Sequence, residues 1–102
     1  MTAVHINIGN SDDKLSQARW AEFWSAVDRA VKTTSTYPGG AVHGAWVSPS
    51  TSPWQNACWC LQLPADPLAV EALRTYLDRL RVEYGQDSIA WTPGETEFIG
   101  QS

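Results

Sequence analysis

Residues 66–85 read DPLAVEALRTYLDRLRVEYG, and this stretch decides the fold. Asp66 is a helix N-cap residue, Pro67 stands at the first helical position, and Gly85 supplies the turn out of the helix. Between them Val70, Leu73, Leu77, Leu80 and Tyr84 recur at spacings of three and four, so the helix has one apolar stripe. Such a stripe has to lie on something. The cover stands on either side of it: in NACWCLQL (56–63) Ala57, Trp59, Leu61 and Leu63 alternate with Cys58, Cys60 and Gln62, and DSIAWT (87–92) is a short β-prone run.

Working outward, AVHGAWVS (41–48) reads as a strand that pairs with 56–63 as a hairpin, with Gly44 marking a bulge. AVHINIG (3–9) alternates Val4, Ile6 and Ile8 with His5 and Asn7, a half-buried strand. A second helix is expected from Ser16 as N-cap, with Leu15 and Trp20 at staple spacing and an apolar stripe of Trp20, Phe23, Trp24, Val27 and Val31. Pro93-Gly94 favours a turn into ETEFI, read as a short fifth edge strand at the C-terminus. The order β-α-β-β-α-β, with two one-sided helices, predicts an α+β ferredoxin-like sandwich: a four-stranded antiparallel sheet with both helices on one face. If Val4, Ile6 and Ile8 face the helices, His5 and Asn7 point to the open side of the sheet.

The chain has 102 residues and 11.3 kDa, enough for one small domain spanning 1–102. A hydrophobic share of 43% and a charged share of 18% place it with folded globular proteins. The net charge of −4 argues against nucleic acid as a partner, because binding to phosphates starts from a basic patch. The N-terminal MTAVHINIGNSDDK has no signal-peptide character, and no apolar run is long enough for a bilayer, so the expectation is a cytoplasmic protein without a membrane partner. Cys58 and Cys60 lie two apart, near the upper reach of a bridge within one strand, and read as reduced thiols.

Trp20 and Phe23 at a W-x-x-F helix start, Gly44 and Trp46 in a G-x-W strand, and Tyr84, Gly85, Gln86, Asp87 and Ser88 before the last strand carry a resemblance. In these motifs the chain resembles the DUF3574-type family of small bacterial ferredoxin-like proteins; its WQNACWC segment and ETEFI tail depart from that pattern. It also looks like the small accessory proteins of phages and actinobacterial genomes. The resemblance implies the ferredoxin-like fold and no established activity, so no functional residue follows from it.

The candidates for chemistry each compete with a plainer reading. His5, His43, Cys58 and Cys60 come from neighbouring strands and invite a tetrahedral zinc site, but structural zinc favours C-x2-C over C-x-C, so the thiols are read as small, half-buried apolar groups. A reactive thiol paired with His5 lacks a basic neighbourhood to lower its pKa. Asp12 and Asp13 open like a calcium loop without its glycine and terminal glutamate, and read as turn charge. Glu95 and Glu97 alternate on the tail, where charge on an edge strand discourages aggregation. No metal or cofactor is expected.

Six tryptophans, Trp20, Trp24, Trp46, Trp54, Trp59 and Trp91, are the unusual compositional fact. Some must enter the core, and the rest would leave an apolar patch on the open sheet face, so a homodimer through that face is expected. The loop SPSTSPWQN (48–56) adds Trp54 flanked by Gln55 and Asn56, which reads equally as a binding hot spot and as a core residue folded under the hairpin. The sequence therefore points to a non-enzymatic interaction module. Its expected binding residues are Trp54, Gln55, Asn56, His5, Asn7 and Trp46, and one form it could take is a phage or mobile-element protein that inhibits a host protein. The alternative is a small dimeric enzyme, an oxygenase or isomerase on an aromatic substrate. Its cleft would be lined by Trp20, Trp24 and Trp59, with His5 or His43 moving a proton.

Overall fold

Ser16 opens the first helix, α1 (Gln17–Thr34): its hydroxyl oxygen accepts from the Arg19 amide at 3.2 Å, and Leu15 before it is buried in the same cluster as Trp20. The structure is a computed structural model and describes residues 2–10, 14–52, 54–97 and 99–100. The second helix, α2 (Pro67–Glu83), begins under Asp66, whose carboxylate accepts from the Leu68 amide at 2.9 Å. It ends in a Schellman turn. The Gln86 amide donates to the Arg81 carbonyl and the Gly85 amide to that of Val82, with Gly85 at φ +65°, a conformation glycine adopts at little cost.

Four strands, β1 (Thr2–Gly9), β2 (Ala41–Val47), β3 (Asn56–Gln62) and β4 (Ala90–Glu95), form one sheet in the order β2-β3-β1-β4, each neighbour antiparallel. This is the expected βαββαβ ferredoxin-like sandwich. The pairing Ile6↔Trp59 and Ile6↔Trp91 places these three on the helix-facing side, with Val4, Ile8, Ala57 and Leu61 alongside. Phe23, Val27 and Val31 of α1 and Leu73, Leu77 and Leu80 of α2 close over them, while of the predicted stripes Trp24 only packs against this core and Val70 stays half-buried beside an open groove. The β2–β3 register shifts between Val42 and Gly44, the bulge that the glycine signalled.

Trp59 is the largest fully buried side chain, 1% exposed. Its indole N–H donates to Asp28 Oδ1 at 3.0 Å, and Lys32 reaches the other carboxylate oxygen at 2.8 Å. Burial works against the charged form of Asp28, but the hydrogen bonds from Lys32 and Trp59 and the charges of Lys32 and Arg29 outweigh it and hold the carboxyl below its ordinary value. Among the described residues every buried side-chain nitrogen and oxygen has a hydrogen-bond partner.

The end of the chain departs from expectation. β4 starts at Ala90 and runs through Pro93 and Gly94 to Glu95, so these two residues do not turn the chain. An edge strand accepts proline wherever its missing N–H would have faced outward. Among the described residues no fifth strand follows: Thr96 and Glu97 have no regular structure, and Ile99 and Gly100 lie in a turn. Glu95 and Glu97 therefore do not share a strand. Asp12 and Asp13, and with them the calcium-loop comparison, lie outside the described residues.

Candidate interaction surface

The end of the sheet where β2 turns into β3 is built by a polar clamp. Asn10, 1% exposed, receives the Leu15 amide on Oδ1 at 3.0 Å and donates from Nδ2 to the Leu15 carbonyl and to Gln55 Oε1. Gln55 and Gln17 exchange amide hydrogen bonds, Nε2 of Gln55 to Oε1 of Gln17 at 2.7 Å and the reverse at 2.9 Å. The Asn10 amide also donates to the Gln55 carbonyl at 2.8 Å, locking the exit of β1 to the entry of β3.

Gln55, expected as a binding residue, is thus 3% exposed with its amide committed inward. A glutamine between two exposed neighbours reads as solvent-facing in sequence; the amide partners that Asn10 and Gln17 provide turn it in. Asn10 and Gln17 carry no motif, and only the position of Asn10 directly after a strand hinted that its side chain would close a turn.

The clamp leaves Trp54 outside. The loop above it is tied by the Ser52 amide donating to the Pro49 carbonyl, and Ser48 takes the Asn56 amide on its hydroxyl at 2.9 Å. Asn56 Nδ2 and the Ser52 hydroxyl both donate to the Trp54 carbonyl at 3.2 Å. Trp54 is held by its backbone while 69% of the residue's surface stays exposed.

On the open face the register aligns Trp46, Cys58, Asn7 and Ala90 in one row and Gly44, Cys60, His5 and Thr92 in the next. His5 and Asn7 are exposed as expected, Cys58 and Cys60 are half-buried free thiols, and Trp46 is 53% exposed. So His5, Asn7 and Trp46 share a face, Trp54 and Asn56 stand at its β2–β3 end, and Gln55 lies beneath. Of the six tryptophans only Trp46 lies on this face among the strand residues; Trp59 and Trp91 point to the helices.

The cleft imagined between Trp20, Trp24 and Trp59 is filled: Trp20 and Trp59 are core and Trp24 packs against it. Two open grooves lie instead along α2. One of about 500 Å3 runs beside β4 under Arg74, Arg81, Ile89 and Trp91, with the Arg74 guanidinium 5.0 Å from the Trp91 ring centre. The other, about 530 Å3, is bounded by Thr2, Leu63, Pro64, Pro67 and Val70. Neither is lined by a histidine. Among the described residues no three His, Cys, Asp or Glu side chains gather as a metal site, and no helix is long and apolar enough to cross a membrane.

No family model matches the chain, and no curated protein does. Among solved structures it is similar to the C-terminal domain of the MgtC protein from Mycobacterium tuberculosis, at 11% identity and a TM-score of 0.59, over 93% of this chain and 89% of that one. It is similar too to the de novo designed protein Foldit4, at 10% identity and a TM-score of 0.58, over 94% of this chain and 96% of that one. At such identities the likeness is one of fold alone.

Proposed function

We propose that this domain is a non-enzymatic protein-interaction module whose anchors are Trp46 and Trp54. One observation carries the reading. Four tryptophans are in the core or packed against it, while these two, 53% and 69% exposed, stand toward the β2–β3 end of the sheet. Exposed tryptophan on a rigid support is the residue type that dominates binding energy at protein interfaces. Asn56 and the open-face residues Asn7 and His5 supply a polar surround, as an interface rim does.

The enzymatic alternative asks for a histidine-bearing cleft, and the two grooves along α2 are lined by Arg74, Trp91, Leu63 and Val70 rather than by histidine. The free thiols of Cys58 and Cys60 suit a reducing compartment such as the cytoplasm. If the partner is heterologous, inhibition of a host protein by a phage or mobile-element accessory protein is one form this activity could take.

The test is a comparison of the wild-type domain with a Trp46→Ala, Trp54→Ala double variant as bait, followed by titration of the purified candidate partner. The expected result is a partner retained by the wild type and bound at least roughly a hundredfold more weakly by the double variant, the scale of two hot-spot truncations. Equal binding by a folded double variant overturns the reading.

A further inference from the structure

We infer that β2 is a self-pairing edge: two copies join antiparallel through their β2 strands, with the Trp46 ring of each lying over Gly44 of the other. This rests on the interaction reading above for Trp46 and commits that residue to a second copy of this chain.

The two free edges of the sheet differ in kind. β4 carries Pro93 and Glu95, residues that discourage a further strand. β2 reads AVHGAWV, with no proline and no acidic, lysine or arginine side chain, and His43, Gly44, Ala45 and Trp46 are all exposed. Its backbone is presented outward at defined positions. The Ser48 amide donates to the Asn56 carbonyl at 2.9 Å, and antiparallel pairs alternate, so Trp46 and Gly44 also turn their backbone groups to β3. Ala45 and Val47 are left with N–H and C=O directed away from the sheet.

A two-fold axis through facing Ala45 residues uses those groups and sets the register. Trp46 of one strand then stands opposite Gly44 of the other, and Gly44 opposite Trp46. Both residues lie on the open face, since their β3 partners are Cys58 and Cys60. The space over Gly44 is vacant: a Cβ built there has no atom within 4 Å. An aromatic ring laid across a strand onto a glycine is a recurrent stabilising pair in sheets. Each copy thus supplies one ring and one recess, the self-complementarity that a two-fold interface requires. The bulge between Val42 and Gly44 ends the regular edge, and the opposed chemistry of β4 stops the assembly at two chains.

Sedimentation equilibrium of the full chain across micromolar concentrations tests this, with circular dichroism as the check on folding. The expected species has twice the chain mass of 11.3 kDa. Ala45→Pro removes an N–H that the alternation directs away from β3, and Gly44→Thr fills the recess with a strand-favouring residue; each is expected to weaken the dimer by roughly tenfold or more. Two variants are used so that one misfolding protein does not decide the matter. A wild-type monomer overturns the inference, and if Trp54-dependent binding to another protein persists, the interaction module stands without it. A dimer untouched by both variants but dissolved by Asn7→Arg, at the middle of the open face, also overturns edge pairing and assigns the dimer to face-to-face packing.

Discussion

Trp59 and Trp46 sit on adjacent strands and on opposite faces of one sheet, and they have opposite fates. The covered face takes Trp59 whole and gives its N–H a carboxylate, while the open face leaves Trp46 half in water beside two thiols. The same residue type is thus a structural element on one side and a contact in waiting on the other. What separates the two is the helix layer, not the strand sequence around each.

Trp59→Ala should break the covered face, costing about 3–5 kcal/mol in denaturant unfolding because a large cavity opens and Asp28 loses a donor. Trp46→Ala should cost the monomer less than about 0.5 kcal/mol, as for a surface residue away from caps and networks. If the two losses prove equal, the faces are not distinct in the way described.

The clamp between the faces comes next in size. Gln55→Ala strands amide groups of Asn10 and Gln17, and a loss of about 1–3 kcal/mol is expected. A neutral effect would mean that water replaces the side chain and that the loop is held by backbone bonds alone.

Acid provides a finer probe of the covered side. The folded-state value of Asp28 lies below the ordinary 3.8, so the folded protein binds fewer protons than the unfolded chain in that range. Its contribution is complete above the unfolded value and disappears as pH falls through the folded one. Asp28→Asn should therefore flatten the acid limb of the stability profile below about pH 4, and an unchanged limb would remove Asp28 from the account.

The smallest effect is spectroscopic. In a monomeric variant such as Ala45→Pro, acrylamide should reach chiefly Trp46 and Trp54, and the Trp46→Phe, Trp54→Phe pair should abolish most of the quenchable emission at unchanged stability. Strong residual quenching would place Trp24 or Trp91 in water.

Much of this was written in the chain where one local rule acts alone. Asp66-Pro67 and Gly85 mark the ends of α2 because capping depends on a few adjacent groups, and Val4, Ile6 and Ile8 mark a strand because alternation survives any context. Pro93-Gly94 misled because a turn signal is weaker than the pairing of Pro93 with Val4 at a sheet edge. Gln55 misled because its burial depends on Asn10 and Gln17, which only the folded topology brings beside it. The division of the tryptophans between faces was half legible: alternation put Trp59 inward, whereas the bulge at Gly44 shifted the register that determines where Trp46 points.

The clamp also has a kinetic consequence. Asn10, Gln17 and Gln55 come from the end of β1, the start of α1 and the approach to β3, so their bonds need the central pair β1–β3 already in register. Contacts that complete only after the folding barrier weigh on the return journey alone, and the clamp is expected to behave as one of them. Loosening the clamp would leave the speed of folding nearly untouched and shorten the lifetime of the native state.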